Sequence, residues 1–318
     1  MDDVTDTVFR RVVSDCAAPD MNMTEFVNVD GLCSPGREKL MPRLKNSCDV
    51  IPVIAQIWGK RPENFEQIAC EIASGTIPGY AGVDLNFGCP DKAVLKNECC
   101  SALQQPDLRH KAVEIIEATQ RGIETARGSA SSKEIFPLSI KTRLGFDQVD
   151  YSWHELLLGF KPSMLSVHVR TTRQMSKVTA DWAAIEPIVE LRDKISPNTK
   201  IVLNGDIMHR DQGLELARKH GVDGIMIGRG VFRNPYCFAD DAEAVWATKG
   251  AEDRIVLFKK HIELFQGAYE EDERKYAPLK KFAKIYVSDF PSASDYREKI
   301  MNSNSVNEAL NVIESFKV

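Results

Sequence analysis

The sequence predicts an α/β protein, a parallel (β/α) barrel followed by a helical domain. Three observations predict it. Short apolar, β-branched runs recur up to Gly230. Between most of them lie segments whose apolar residues repeat with helical period. Beyond about residue 241 the alternation stops, and only helical pattern rich in both charge signs remains. Strands alternating with helices argue for a parallel sheet, because parallel neighbours need a crossover connection.

The chain opens on a helix-like stretch at 6–13 with no strand before it. Strand-like runs follow at 23–27, 53–57, 83–87, 138–142, 165–169, 201–204 and 224–228. The clearest helical segment, 107–127, sets Val113, Ile116, Ile123 and Ala126 on one stripe. Residues 63–73, 182–194 and 211–220 read similarly. The breaks at 75–79, 128–133 and Ser196-Pro197-Asn198 carry ordinary loop chemistry. A closed barrel of this type has eight strands. Seven runs are visible, so the expectation is a (β/α)8 barrel whose first strand is missing from this chain. The expected domains are 1–240, the barrel, and 241–318, the helical domain.

With 318 residues, 43% hydrophobic and 27% charged, the composition is that of an ordinary globular protein. Nothing approaches about 18 consecutive apolar residues, so no membrane span is expected. Met1-Asp2-Asp3-Val4 carries neither a basic region nor an apolar run, which argues against a secretory signal. The eight cysteines lack CxxC pairs and are expected to be reduced thiols, with no metal site, in a cytoplasmic protein. A net charge of −5 speaks against coating nucleic acid by bulk charge. It leaves room for a local basic groove.

Barrels of this class carry their chemistry at the C-terminal ends of the strands. Here those ends are polar: Gln56; Asn86 followed by Cys89; Lys141 and Arg143; His168 and Arg170; Asn204 and Asp206; Arg229. Lys141 and Arg143 share pleat parity, as do His168 and Arg170, so each pair points one way. For any one of them a satisfied structural hydrogen bond is as good a reading. Six polar ends in register are harder to ascribe to chance. Asn204-Gly205-Asp206 and Ile227-Gly228-Arg229-Gly230 close the last two strands, where barrels often bind phosphate. Glycine lets backbone N–H groups approach an anion, and Arg229 adds charge. Most of the eight cysteines are expected to be inert core residues. Cys89 differs because it sits on the proposed rim between Gly88 and Pro90, where a held thiol can act as a general acid.

These residues together resemble the tRNA-dihydrouridine synthases. Leu85-Asn86-Phe87-Gly88-Cys89-Pro90 is similar to that family's active-site motif. VIAQIWG at 53–59, Lys141-Thr142-Arg143-Leu144-Gly145, VHVRT at 167–171, Asp181-Trp182, Asn204-Gly205-Asp206 and MIGRG at 226–230 fall in the family's order. Thr24-Glu25-Phe26-Val27 and FPSASDYREKI at 290–300 match as well. The resemblance implies a TIM barrel that holds FMN at its mouth, with a helical domain gripping tRNA. It implies FMN contacts from Gln56, Lys141, His168, Asn204, Gly205, Asp206, Gly228 and Arg229, and Cys89 as proton donor. It also implies NADPH as reductant. The chain departs from the family in three places. It begins at the methionine of the family's Ala-Pro-Met, Lys96-Asn97-Glu98-Cys99-Cys100-Ser101 replaces a glycine-rich loop, and Val169 stands for a glycine.

Substrate contacts are expected from Asn86, Arg143, Arg170 and Arg173, with Lys177 beside them, and from Lys280, Lys281 and Lys284 near Arg274 and Lys275. Taken alone such clusters read more readily as a solvated charged face, the more so beside the acidic 270–273 stretch; the resemblance raises the case for tRNA phosphates. The chain is expected to act as a monomer. The rival reading is an FMN barrel oxidoreductase acting on a small molecule, similar to dihydroorotate dehydrogenases.

Overall fold

A computed structural model of the chain describes residues 1, 3–47, 49–128, 136–270 and 273–316. The predicted 128–133 loop falls mostly outside them. Eight strand segments form one sheet: β1 Asn22–Met23, β2 Val27–Asn28, β3 Val53–Trp58, β4 Gly82–Asn86, β5 Leu138–Arg143, β6 Met164–His168, β7 Lys200–Asn204 and β8 Gly224–Met226. Every pairing is parallel and follows chain order. All seven predicted runs contain strand. The first is split into β1 and β2, both paired with β3. The cause is local: the Thr24 hydroxyl accepts the Gln56 N–H at 2.9 Å, where a regular ladder would use a main-chain carbonyl. Among the described residues the sheet is an open arc, with β1 and β2 at one edge and β8 at the other.

Strands buried on both faces must read as near-continuous apolar runs. Ala55, Ile57, Val83, Leu85, Ile140, Leu165, Val167, Ile201 and Leu203 join the Pro62–Ala73, Arg109–Gly128, Tyr151–Gly159 and Glu186–Ile195 helices in one core. The tightest approach is between the first two of these helices. A Cβ on Gly122 would lie 2.1 Å from the Glu66 carbonyl oxygen, so only glycine fits there. Gly221, at φ 67°, ends the Arg210–His220 helix in the left-handed conformation. The Tyr151–Gly159 helix, absent from the sequence reading, is capped by Asp150, whose carboxylate accepts the Ser152 N–H.

A second core gathers Ile255, Phe258, Ile262, Phe265, Phe282, Tyr286, Ile300 and Ile313 from the C-terminal helices. It also takes Val8, Phe9 and Val13 from the Thr7–Cys16 helix at the other end of the chain. Phe9 lies 4.5 Å from the Phe282 ring and 5.5 Å from His261. Burial pushes His261 down to about 3, so it packs as a neutral ring beside the Tyr286 hydroxyl. Among the described residues no helix is long and apolar enough to cross a membrane.

Candidate active site

Strand register stacks the polar side chains in rows that climb toward the C-terminal ends. Gln56, Asp84 and Ser139 are neighbours in the lowest row. Asn86, Lys141 and Ser166 form the next. Arg143, His168 and Asn204 form the top row, at the rim. Residues two apart on a strand share a face, so Asp84 and Asn86 point alike, as do Lys141 and Arg143.

Cys89 sits in the loop just beyond β4, half-buried against the cluster of Val94, Cys99 and Cys100. The loop is held from two sides. The Asn86 Oδ1 accepts the N–H groups of Gly88 at 3.1 Å and Cys89 at 3.0 Å. On the other side Arg143 Nε donates to the Gly88 carbonyl at 2.7 Å, and Ser101 Oγ donates to the Cys89 carbonyl at 2.7 Å. Gln104 Nε2 takes the Phe87 carbonyl at 2.8 Å. Of the Lys96-to-Ser101 stretch, Lys96 and Asn97 stay exposed and the last three residues turn inward. Cys99, Cys100 and Ser101 are buried, Glu98 pairs with Lys111, and Glu98 and Cys100 adopt φ of 57° and 51°.

Lys141 Nζ lies 3.3 Å from Asn204 Oδ1. Burial, helped by the Arg143 charge, pushes its pKa down to about 8 against the pull of Asp84 and Cys89. Burial and four surrounding cations push His168 down to about 2. The geometry agrees. Arg170 Nη1 is 3.0 Å from His168 Nε2, and a guanidinium only donates, so Nε2 accepts and the ring is neutral. Asp206, in the left-handed region at φ 52°, bridges Arg170 and Arg229. Burial alone would raise it. The Arg170 hydrogen bond, the Ala180 N–H and the two guanidinium charges outweigh burial and hold its carboxyl below the ordinary value. Asn204 Nδ2 donates to the Met226 carbonyl at 2.8 Å, joining the last two strand ends. A Cβ on Gly228 would meet nothing within 4 Å, so the space beside β8 is open.

The expected substrate cations divide in two. Arg143 and Arg170 are buried: Arg143 braces the Gly88, Thr171 and Met175 carbonyls, and Arg170 the Val178 carbonyl and Asp206. Arg173 and Lys177 are exposed beside the rim, Arg173 pairing with Asp147. In the helical layer Lys281 and Lys284 are exposed, while Lys280 donates to the Met301 carbonyl at 2.9 Å. Arg274, grouped with them in sequence, is buried against Glu25 and Asp6. Asp84, Ser101 and Gln104 were not singled out in the sequence. Asp84 had one signal, a charge inside an apolar strand with the parity of Asn86.

Comparison with known proteins gives a consistent result. A family model described as dihydrouridine synthase (Dus) matches residues 1–318. A probable tRNA-dihydrouridine synthase of Staphylococcus aureus is 41% identical over 322 residues, covering 100% of this chain and 91% of the relative. One from Staphylococcus epidermidis is 40% identical over 321 residues, covering 100% and 92%. A probable tRNA-dihydrouridine synthase 2 of Bacillus subtilis is 39% identical, with the same coverage. A solved dihydroorotate dehydrogenase (DHODH) structure from Eimeria tenella is a far looser likeness. Its TM-score is 0.43 at 14% identity, over 64% of this chain and 61% of that one. On the end-to-end family match and these relatives, the chain belongs to the dihydrouridine synthase family.

Proposed function

We propose that this protein is an FMN-dependent tRNA-dihydrouridine synthase that reduces a uridine of tRNA to 5,6-dihydrouridine, with Cys89 giving the proton. The observation that carries the reading is the held Cys89 loop beyond β4, braced by Asn86 and Arg143 and close enough to Lys141 for their charges to interact. Family membership supplies the reaction class. NADPH as reductant rests on the resemblance alone.

The strand ends suit FMN. Ser166 Oγ, buried in the row of Lys141, has no hydrogen-bond partner among the described residues. The space beside Gly228 is open, and the Arg229 side chain is 60% exposed and able to turn to a phosphate. Lys141 adds a donor for a polar ring edge with Asn204 beside it, Gln56 lies beneath them with its NH2 held by Asp84, and Gly205 and Asp206 shape the phosphate side. When bound, the flavin supplies hydride to carbon 6 of the uracil. Cys89 delivers a proton to carbon 5, so that one hydride and one proton saturate the double bond. Lys141 holds positive charge at the ring edge. Neutral His168 accepts from Arg170, and charged Arg170 fixes the Asp206 carboxylate. The substrate uridine must leave its stack to reach this depth. Exposed Arg173, Lys281 and Lys284 are the proposed phosphate contacts, with Lys280 beside them. We place the protein in the cytoplasm, with its substrate.

The test is dihydrouridine formation on an unmodified tRNA transcript with FMN and NADPH, comparing wild type with Cys89→Ala. Product from wild type and a drop of about 100-fold or more in the variant is the expected result. Product at the wild-type rate from Cys89→Ala removes the acid role. A wild-type protein inactive on tRNA but active on a free pyrimidine would favour small-molecule chemistry.

A further inference from the structure

Asp84 lies at the floor of the site, fully buried, one row below Asn86 and Lys141. Its Oδ1 accepts the Ser139 hydroxyl at 2.6 Å, and its Oδ2 accepts Gln56 Nε2 at 2.8 Å. Gln56 Oε1 then accepts Asn86 Nδ2 at 3.1 Å. Asn86 Oδ1 accepts the Gly88 and Cys89 N–H groups. A side-chain amide can present either end, so two amides in series have no preferred sense of their own. The ends of this chain do. Burial pushes Asp84 up to about 6 against its Ser139 and Gln56 hydrogen bonds, so above that pH it is a carboxylate that only accepts, and a backbone N–H only donates. Asp84 therefore forces the Gln56 NH2 group downward, its oxygen toward Asn86, and the Asn86 oxygen toward the Cys89 loop.

We propose that Asp84 is a positioning residue for Cys89, setting the sense of a Gln56–Asn86 chain that fixes the N–H side of the Cys89 loop. The proposal deepens, and rests on, the reading of Cys89 as proton donor. Without an acceptor at 84, Gln56 loses the partner that orients it. A flipped Gln56 would turn its NH2 toward the Asn86 NH2, and Asn86 would have to rotate its oxygen away from Gly88 and Cys89. Ser101, Gln104 and Arg143 hold the loop carbonyls independently of the chain. Loss of Asp84 should therefore displace the thiol without releasing the loop. The bland alternative is that Asp84 only fills the barrel floor.

The experiment compares Asp84→Leu, which has similar size and no acceptor, with Asp84→Asn. The asparagine keeps one acceptor for Gln56 and turns its NH2 to the Ser139 hydroxyl. On the full-length protein as purified, Cys89 alkylation by iodoacetamide is followed by peptide mass spectrometry across pH. The same preparations give flavin absorbance, and kcat and KM on a tRNA transcript. Asp84→Leu is expected to change the Cys89 alkylation rate by about tenfold. Its kcat should fall about 10- to 100-fold, with KM for tRNA within about twofold and flavin retained. Asp84→Asn should stay near wild type. Wild-type alkylation and turnover in Asp84→Leu overturns the proposal, and so does an Asp84→Asn as impaired as Asp84→Leu. If Asp84→Leu does not fold, Asp84→Ser, too short to reach Gln56, is judged by the same criteria. Should Cys89→Ala keep full activity while Asp84→Leu still alters Cys89 alkylation, the acid reading fails and the positioning stands. Should Cys89→Ala be inactive while Asp84→Leu alkylates like wild type, the reverse holds.

Discussion

Lys141 stands one row below the rim and His168 on it, and burial acts on both in the same direction with different consequences. For His168 the shift to about 2 removes its titration from the whole working range. Activity should show no step near pH 6.5, the ordinary histidine value, that His168→Asn abolishes. For Lys141 the folded value of about 8 lies below the ordinary lysine value of 10.5. Its charge is present below about pH 8 and lost above it, so flavin affinity and turnover should fall as pH rises through about 8. Lys141→Arg stays charged there, and any activity it retains should lack that alkaline limb. A limb unchanged in Lys141→Arg would assign it to another group. The same residues show what one position can reveal in sequence. Strand-end location marked Lys141 and His168, because parity and position follow from the run itself. Arg143 and Arg170 carry the same marks yet spend their guanidiniums on buried carbonyls, since a sequence gives a side chain's charge and not its direction.

At the scale of elements, the seating of one helix against another hangs on Gly122. Alanine has the better helix propensity by about 0.8–1.0 kcal/mol. Against that, the added Cβ would sit 2.1 Å from the Glu66 carbonyl oxygen and 2.9 Å from its carbon, both main-chain atoms that cannot rotate away. Overpacking of this kind costs about 1–3 kcal/mol. Gly122→Ala should lower the urea midpoint without changing the slope of the transition. A raised midpoint would mean that the helices separate freely. The strands were legible because both faces are buried, which makes them continuous apolar runs that no surface helix imitates. The Arg109–Gly128 helix was legible from its stripe. The Tyr151–Gly159 helix was not, because Trp153, Leu156, Leu157 and Leu158 are spread around so short a segment that no period stands out. The break between β1 and β2 was illegible for another reason, a side-chain hydroxyl replacing a ladder acceptor.

At the scale of the whole molecule, the helical layer is fastened to the strand layer by charges far apart in sequence, which no local pattern could have paired. Arg274 donates to Glu25 Oε1 at 2.9 Å and faces its Oε2 at 2.8 Å, with Asp6 3.4 Å away. Arg43 reaches Glu25 from the barrel side at 3.3 Å, and Lys45 pairs with Glu273 at 2.8 Å. The Arg274 side chain is 8% exposed and that of Glu25 0%, so screening by water is slight. Burial pushes Asp6 up to about 6, with Arg274 the largest opposing influence. Removing one partner of such a group leaves buried charge uncompensated, at a cost of about 3–5 kcal/mol. Arg274→Ala should therefore lose about that much in urea unfolding at pH 8. Its deficit should also depend on pH. Without the guanidinium, the Asp6 value rises further above its unfolded 3.8, so the folded variant takes up a proton more readily. Stability linked to a raised carboxyl is retained at low pH and lost as pH rises through the folded value. The gap between variant and wild type should thus narrow from pH 8 to pH 5. An equal gap at both would mean that Arg274 acts by packing, through its stacking on Tyr269 at 5.6 Å, and not by charge.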